Sequence, residues 1–255
     1  PSTHLLSQNF SKAFGIKFKT KDEKEDYVWQ TCYGPAISRI LASVISMHGD
    51  NKGLVLPFCI SPIQIIIIPI CDSENKSKVI NESEKIKKEL EELNLKVEID
   101  NSEKRPGEKF YGWELKGVPL RLEIGGKELK EKKLTLFTRD TERKEKISTA
   151  KLKDLVKLGE EYDKRLKEKA DKFMNGKTVN CKTKSEIQKT IDDKKIAKIN
   201  FCSIEKQGEK CAEIIEKDIG AYVRGILADK KEKPSGNCII CNKKAEEVVY
   251  VAKSY

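Results

Sequence analysis

The sequence lacks any long hydrophobic run. Its longest purely aliphatic stretch, Ile65-Ile66-Ile67-Ile68, is four residues long and is bounded by Pro62 and Pro69. A membrane-spanning helix needs about 20 apolar residues. We therefore expect no membrane partner, and the short aliphatic run is typical of a buried strand.

The first residues also lack a secretion signal, because PSTHLLSQNF has neither a basic segment nor a cleavage site. The chain contains eight cysteines, and without such a signal they favour a reducing compartment with free thiols or metal ligands over disulfides. We expect a cytoplasmic protein. The chain opens at Pro1 and not at Met, within patterned sequence, so we expect a further portion upstream.

Histidine is scarce, since His4 and His48 are the only two, and composition assigns neither of them a role. Charge is abundant: charged residues make up 36% of the chain, and the formal net charge is +10. An excess of positive charge favours an anionic partner such as polyphosphate or nucleic acid. A Lys/Glu-rich surface without a ligand is the alternative, and charge alone does not decide between them.

Four of the cysteines form two pairs near the end of the sequence. Eight residues separate Cys202 from Cys211, and two separate Cys238 from Cys241. Two thiol pairs on short loops can converge on one tetrahedral zinc ion, and four thiolates leave no open position for catalysis. We predict a structural zinc site, with buried free thiols or a redox pair as alternatives. The remaining cysteines are dispersed and are interpreted as ordinary residues: Cys32, Cys59, Cys71 and Cys181.

Strand-like and helix-like apolar patterns alternate along the chain, which predicts an α/β architecture with a mixed sheet. Alternation or continuous apolar runs predict strands at 26–33, 63–70, 95–99, 120–124 and 134–137. Helical spacing predicts helices at 37–48, 77–93, 109–116, 151–174 and 184–193. Gly49 is placed to end the first of these helices, and Asn175-Gly176 the fourth.

Two groups of residues are candidates for ligand contact. Arg39 follows a strand and a glycine at the start of a helix, where an arginine can grip phosphate; a plain surface arginine is the alternative. A second group combines aromatic rings with mixed charge, as in proteins that stack on and read single-stranded RNA bases. For that group a half-buried strand and helix is the alternative: Phe110, Trp113, Glu114, Lys116 and Arg121.

Several segments resemble prolyl-tRNA synthetases of the archaeal/eukaryotic type, a class II aminoacyl-tRNA synthetase family. STHLLSQNFSKAF (2–14) resembles the proline-pocket segment, and QTCYGPAISR (30–39) resembles class II motif 3. HGDNKGLVLP (48–57) is similar to the connector into the anticodon-binding domain, and PGEKFYGWELKGVPLRLEIG (106–125) to that domain's recognition segment. The four cysteines and the final Ser-Tyr are similar to the zinc-bearing C-terminal domain.

The resemblance implies the C-terminal portion of such an enzyme, from just before motif 3 to the chain end. The implied fold is α/β and α+β in several domains. Residues 1–60 would end a class II antiparallel-sheet catalytic domain, and residues 61–150 would form an α/β anticodon-binding domain with a mixed sheet. Residues 151–199 would be a helical linker, and residues 200–255 a small zinc-bearing α+β domain. Motifs 1 and 2 would precede Pro1, so this segment could not activate proline alone.

The implied activity is that of a proline–tRNA ligase. The proline carboxylate would attack the α-phosphate of ATP, and the prolyl-adenylate would transfer to tRNA(Pro). The implied partners are tRNA(Pro), ATP, L-proline and a second copy in a homodimer, with structural Zn²⁺ and with Mg²⁺ accompanying ATP. The alternative is a non-catalytic tRNA- or RNA-binding accessory protein built from the anticodon-binding and zinc domains. Motifs 1 and 2 upstream of Pro1 would distinguish the two.

The resemblance also implies residue roles. Arg39 matches the motif 3 arginine that grips ATP phosphate, and is thus the implied catalytic and ATP-binding residue. Positions lining the proline and adenylate pocket match Ser2, His4, Phe10, Thr31, Cys32 and Gly34. Positions reading the two guanines of the proline anticodon match Phe110, Glu114, Arg121 and Glu128. Tyr255 matches a terminal tyrosine whose carboxylate folds back toward the catalytic domain.

Overall fold

The computed structural model describes residues 2–34, 36–72 and 74–253. The chain divides into two compact units, Pro1–Leu166 and Lys167–Tyr255. Among the described residues, no helix combines the length and the apolar character that crossing a bilayer requires.

The first unit opens with two small antiparallel sheets and two helices. Strand β1 pairs with β4, and β2 pairs with β3. The elements are β1 (Ser2–Ser7), α1 (Asn9–Phe14), β2 (Lys17–Lys19), β3 (Glu25–Tyr27), β4 (Gln30–Gly34) and α2 (Ile37–His48). The prediction of one strand at 26–33 is wrong, because the chain changes partner at Val28-Trp29: β3 bonds to β2, whereas β4 bonds to β1.

Helix α2 confirms the helix predicted before Gly49, whose amide donates to the carbonyl of Ile45 as the helix ends. Gly49 has a φ of −56°, so the helix ends there without a left-handed residue. The predicted apolar face is present but exposed: Ile37 is 69% exposed and Ile40 62%. Residues 54–57 continue as a connector without strand pairing.

A five-stranded sheet forms the centre of the first unit, in the order β6-β5-β7-β8-β9. Strands β6, β5 and β7 are parallel, and β7, β8 and β9 are antiparallel. The predicted mixed sheet is thus confirmed. Its strands are β5 (Ile65–Ile70), β6 (Val97–Ile99), β7 (Leu120–Gly125), β8 (Lys133–Thr138) and β9 (Arg143–Ser148), and its helices are α3 (Lys76–Glu92), α4 (Pro106–Leu115), α5 (Gly126–Glu131) and α6 (Asp154–Lys177).

Both faces of this sheet are covered, as the continuous apolar run of β5 predicts. Successive side chains of a strand point to opposite faces, and Ile65 and Ile67 pack in a cluster with residues of α3 and α6. Ile66 and Ile68 pack in a second cluster, against Phe110 and Trp113 of α4. Helix α4 therefore lies on the face opposite α3 and α6.

Around this sheet, three further elements differ from the sequence prediction. Helix α5 and edge strand β9 are present but were not predicted, since GKELKE is too short and RKEKIS too polar to show a pattern. Helix α6 runs through Asn175-Gly176 to Lys177, so the predicted stop at that pair is wrong. The Thr178 hydroxyl donates to the carbonyl of Met174, which satisfies one of the last helical acceptors as the next strand begins.

The second unit is a four-stranded sheet in the order β10-β11-β13-β12, with β10 and β11 parallel and the other pairs antiparallel. Its helix α7 (Lys184–Asp192) confirms the helix predicted at 184–193. The other elements are β10 (Thr178–Asn180), β11 (Ile196–Phe201), α8 (Glu209–Ile219), β12 (Tyr222–Gly225) and β13 (Glu247–Ala252).

Candidate nucleic-acid interface and candidate metal centre

Arg121 of β7 is held between two aromatic rings. Its guanidinium carbon lies 4.2 Å from the ring centroid of Phe110 and 4.1 Å from that of Phe137. The residue is only 3% exposed. A planar guanidinium can stack on aromatic faces while its edges remain available for hydrogen bonds.

Those edges bind two carboxylates. Arg121 donates from Nη1 to Glu114 Oε1 at 2.7 Å and from Nε to Glu123 Oε1 at 3.1 Å. Lys144 adds a second cation, with Nζ 2.9 Å from Glu123 Oε1. The carboxylates of Glu114 and Glu123 therefore balance the positive charges of Arg121 and Lys144. Removing one partner of such a buried ion pair is costly, because it leaves the other charge buried and unpaired. Arg121 thus holds Glu114, whose side chain stays 17% exposed.

Asp100, at the end of β6, organises the outer part of α4. Trp113 Nε1 donates to its Oδ2 at 2.7 Å, and Lys109 Nζ donates to its main-chain carbonyl at 2.8 Å. Burial acts to raise the pKa of Asp100, but hydrogen bonds from Ser102 and Trp113 outweigh it and lower the pKa below its ordinary value. Lys116 stacks over Trp113, 4.1 Å from the ring centroid.

The fold therefore brings three of the four predicted anticodon residues into direct contact: Phe110, Glu114 and Arg121. The fourth, Glu128, lies in α5 directly after β7, with its carboxylate over Gly125, where a Cβ would stand 2.9 Å from Oε2. Sequence reasoning missed Glu123 and Lys144, which complete the charge balance. Alternation placed Glu123 on β7, but nothing in the sequence indicated which charges would meet.

Arg139 forms a buried clamp next to this group. Its guanidinium donates to both carboxylate oxygens of Asp50, at 2.7 and 2.6 Å, and Nε donates to the main-chain carbonyl of Glu114 at 3.2 Å. These hydrogen bonds lower the pKa of Asp50 to about 2. The Arg139 side chain has no exposed surface, so the clamp fixes the connector after α2 against the end of α4.

The connector also approaches the end of α4 through its backbone. The Leu54 amide donates to the carbonyl of Leu115 at 3.0 Å. Gly53 has a φ of +135°, and a Cβ there would lie 2.5 Å from the Leu115 Cα. Only glycine fits both the backbone angle and this close approach.

Most of the predicted pocket residues share one two-stranded sheet. In β1 and β4, Ser2 pairs with Gly34, His4 with Cys32, and Leu5 with Thr31. Phe10 lies in α1, 48% exposed, with its ring stacked on Phe14 at a centroid distance of 6.5 Å. Phe14 is 74% exposed, so neither ring is part of a buried core in the first unit.

Arg39, the predicted phosphate-binding residue, lies in the first turn of α2 and is exposed. Its backbone amide donates to the carbonyl of Ala36 at 3.1 Å. The helix start thus presents an arginine to solvent, as phosphate binding there would require. Tyr255 lies outside the described residues.

The four paired cysteines converge at one point of the second unit. Their Sγ atoms all lie within 4.8 Å of one another. Cys202 directly follows β11, Cys211 lies in the first turns of α8, and Cys238 and Cys241 share a tight turn. Sulfurs bound to a tetrahedral zinc at 2.3 Å would stand about 3.8 Å apart, so these thiols are close enough to hold one metal ion.

The turn that carries the second pair is built by its own backbone. The Cys238 amide donates to the carbonyl of Lys243 at 2.8 Å, and the Asn242 amide donates to that of Cys238 at 3.0 Å. Burial raises the pKa of the Cys202 and Cys211 thiols, whereas a backbone hydrogen bond from Lys243 lowers the pKa of Cys241 to about 7. A bound cation would favour the thiolate form at every position.

Two family profiles match the chain. The profile described as "Anticodon binding domain" matches residues 64–158, and the profile described as "Prolyl-tRNA synthetase, C-terminal" matches residues 184–255. The first match contains Arg121 and its partners, and the second contains the four cysteines.

Curated relatives match over the whole chain. The protein named proline–tRNA ligase of Thermofilum pendens is 42% identical over 258 residues, which cover 100% of this chain and 53% of that protein. The one of Methanococcoides burtonii is 40% identical, covering 100% of this chain and 52% of that protein. The chain corresponds to the C-terminal portion of prolyl-tRNA synthetases. It spans about half the length of the relatives it matches.

Solved structures of the family have the same fold. The Giardia lamblia prolyl-tRNA synthetase in complex with prolyl-adenylate matches with a TM-score of 0.77 and 35% identity, covering 99% of this chain and 54% of that one. The Cryptosporidium parvum prolyl-tRNA synthetase complexed with L-proline and AMP matches with a TM-score of 0.74 and 32% identity. The predicted resemblance of the chain to prolyl-tRNA synthetases is thereby confirmed.

Proposed function

We propose that the protein containing this chain is a proline–tRNA ligase, which activates L-proline with ATP and transfers it to tRNA(Pro). The observation that carries the proposal is the match to proline–tRNA ligases along the entire chain, at 42% identity. The two profile matches support it, because an anticodon-binding domain and a prolyl-tRNA synthetase C-terminal region occur together. The upstream half would supply the rest of the active site.

In this proposal residues 1–60 complete the catalytic domain. Arg39 binds ATP phosphate, and its exposed position at the start of α2 supports that role. The sheet of β1 and β4 forms part of the proline and adenylate pocket, with Phe10 nearby in sequence. Positioned cations lower the barrier to attack on the α-phosphate by stabilising the developing charge, and Mg²⁺ would share that task. The pocket residues are Ser2, His4, Phe10, Thr31, Cys32 and Gly34.

Residues 61–150 would read the two guanines of the proline anticodon. A guanine presents N–H donors on its Watson–Crick edge, and a fixed carboxylate such as that of Glu114 can accept them. Arg121 holds that carboxylate and Phe110 offers a ring beside it, while Glu128 would contact the second base. Because the acceptor is already oriented by Arg121, little ordering is required when the tRNA binds.

The four cysteines would bind a structural Zn²⁺, since their sulfurs can surround one ion and leave no position open. Residues 200–255 would then carry this zinc site, within a unit whose sheet also includes β10 and the first residues of β11 from the segment 151–199. The Tyr255 carboxylate would approach the catalytic domain. We also propose a homodimer in the cytoplasm, as the family resemblance implies.

The anticodon assignment is tested by the affinity of this chain for tRNA(Pro) and for the same tRNA with both anticodon guanines replaced. We expect replacement to weaken binding by about tenfold or more, because each lost base contact costs about 1–3 kcal/mol. Fluorescence anisotropy at two salt concentrations measures it. In Glu114→Gln the difference between the two tRNAs should shrink, because an amide replaces the fixed carboxylate.

Glu142→Gln is the matched control. Glu142 lies in the same unit, exposed, and pairs only with Lys52 in the contacts of the described residues, at 2.6 Å. This variant should discriminate between the two tRNAs as the unmodified chain does. Equal binding of both tRNAs to the unmodified chain would contradict base reading by residues 61–150.

A further inference from the structure

A cleft of about 500 Å³ in the second unit is lined by lysines. It lies beside β10 and β11, under the loop that precedes Cys238. Within the part of the chain that the structure describes, five lysines line the cleft, and Glu232 is the one acidic residue of the lining. The lysines are Lys182, Lys198, Lys230, Lys231 and Lys233.

Glu232 anchors the loop that carries three of these lysines. Its carboxylate accepts from Lys198 Nζ on β11 at 2.5 Å and from the Tyr250 hydroxyl on β13 at 2.7 Å. The Ser235 amide adds a bond to Asn200 Oδ1 at 3.3 Å. The one acid of the cleft is thus used to fasten the loop to the sheet.

The charges of the four other lysines remain available to a ligand. Lys182, Lys230, Lys231 and Lys233 are exposed, and no salt bridge within 4.0 Å involves them among the described residues. Apart from Glu232, the nearest acids in sequence are Asp229 and Glu186, and neither of them is among the residues that line the cleft. Several ammonium groups of one sign around a concave surface attract an anion more strongly than scattered charges do.

The lining favours phosphate over a nucleobase. Among the described residues it contains no aromatic ring on which a base could stack, whereas it offers ammonium groups and the amide side chains of Asn180 and Asn200. Lysines make point-charge contacts that position a nucleic acid without reading its sequence. We propose that this cleft binds the phosphodiester backbone of tRNA, outside the anticodon. The proposal rests on the proposed function only in its choice of tRNA as the ligand.

The test is the salt dependence of tRNA(Pro) binding by a variant with Lys230→Ala, Lys231→Ala and Lys233→Ala together. The binding constant K falls as salt rises, and each lost phosphate contact makes the slope of log K against log salt less steep by about 1. For the triple variant we expect a slope that is less steep by about 2–3. Affinity at low salt should fall by about 10- to 100-fold. The fall should be equal for tRNA(Pro) and for the tRNA with replaced anticodon guanines.

The control variant removes three other exposed lysines of the same unit, Lys184→Ala, Lys189→Ala and Lys206→Ala. It has the same change in net charge, and its affinity should stay near that of the unmodified chain. Metal content and the thermal unfolding midpoint show that both variants fold.

An equal loss in both triple variants would overturn the proposal in favour of a general charge effect. The proposal would also be overturned if the Lys230/Lys231/Lys233 variant bound tRNA as well as the unmodified chain but no longer bound inorganic pyrophosphate. The cleft would then bind a small phosphate ligand. Failure of the anticodon assignment would give a different result. Both tRNAs would bind the unmodified chain equally, while the Lys230/Lys231/Lys233 variant would still bind tRNA more weakly.

Discussion

The two units differ in the side chains that form their cores. In the first unit, Ile65, Ile66, Ile67 and Ile68 have no exposed surface and are covered by helices on both sides of the sheet. In the second unit the main cluster includes four cysteines beside its aliphatic residues, three of them from the metal-site group. The first interior is thus formed by apolar side chains, whereas the second includes thiols that a metal could join.

This difference follows from the size of each apolar interior. A continuous aliphatic strand removes much apolar surface from water, at about 25 cal/mol per Å². The second unit is smaller and its β12 edge is half-exposed. Small units commonly need a metal or disulfides to hold them, and four thiols within 4.8 Å provide the place for a metal.

Removing the metal should have the largest effect. Cys238→Ser, or treatment with a strong chelator, should unfold the second unit, because structural zinc sites contribute about 10–16 kcal/mol of apparent binding free energy to folding. Elemental analysis should find one zinc per unmodified chain. Hydrogen exchange should show lost protection in β11 and β13 and little change in β5.

Cys71→Ser is the control for the metal prediction, because Cys71 is exposed and belongs to the first unit. It should keep one zinc and full protection. A chelated protein that retains the exchange protection of β11 would show that the second unit is held by its aliphatic cluster alone.

A cavity in the first interior should have the next largest effect. Ile67→Ala should lower the free energy of unfolding by about 3–4 kcal/mol, since a fully buried isoleucine is truncated, and Ile67→Val by about 1 kcal/mol. Urea unfolding measures both values. The zinc content and the exchange protection of the second unit should not change.

Ile37→Ala provides the contrast, because Ile37 is 69% exposed. Its substitution should change stability by less than about 0.5 kcal/mol. A cost similar to that of Ile67→Ala would mean that the apolar face of α2 is covered in solution.

Among the metal site, the aliphatic core and the Arg139–Asp50 clamp, the clamp should give the smallest effect, with a defined pH dependence. Arg139 holds the pKa of Asp50 at about 2, below its ordinary 3.8. The folded state thus favours the carboxylate, and its contribution is present above pH 4 and is lost as the pH falls toward 2. Because the Asp50 side chain is 40% exposed, we expect Asp50→Asn to cost only about 1 kcal/mol at pH 6.

The measurement for the clamp is urea unfolding of Asp50→Asn and of the unmodified chain at pH 6 and pH 2.5. The difference in free energy of unfolding between the variant and the unmodified chain should be smaller at pH 2.5 than at pH 6. The variant Asp22→Asn, in an exposed turn, should show no difference at either pH. An equal cost at both values would assign the effect to packing and not to the charge.

Elements with strong apolar patterns were predictable from the sequence. The run at Ile65 specified a strand covered on both faces, and helical spacing specified α3 and α7 within one residue at either end. The two cysteine pairs predicted a common site, and their sulfurs do lie together. Edge strand β9 was missed because an exposed edge carries charged residues and leaves no hydrophobic signal.

What the sequence by itself determined was therefore local periodicity, the thiol pairs and the family motifs, because each depends on residues that are near in sequence or recur as a fixed string. The tertiary structure alone decided which charges meet. Arg121 and Glu123 are two residues apart on one strand, but Arg139 and Asp50 are far apart along the chain. Such pairs form only when packed elements bring them to bonding distance, and a side chain's charge specifies no particular partner.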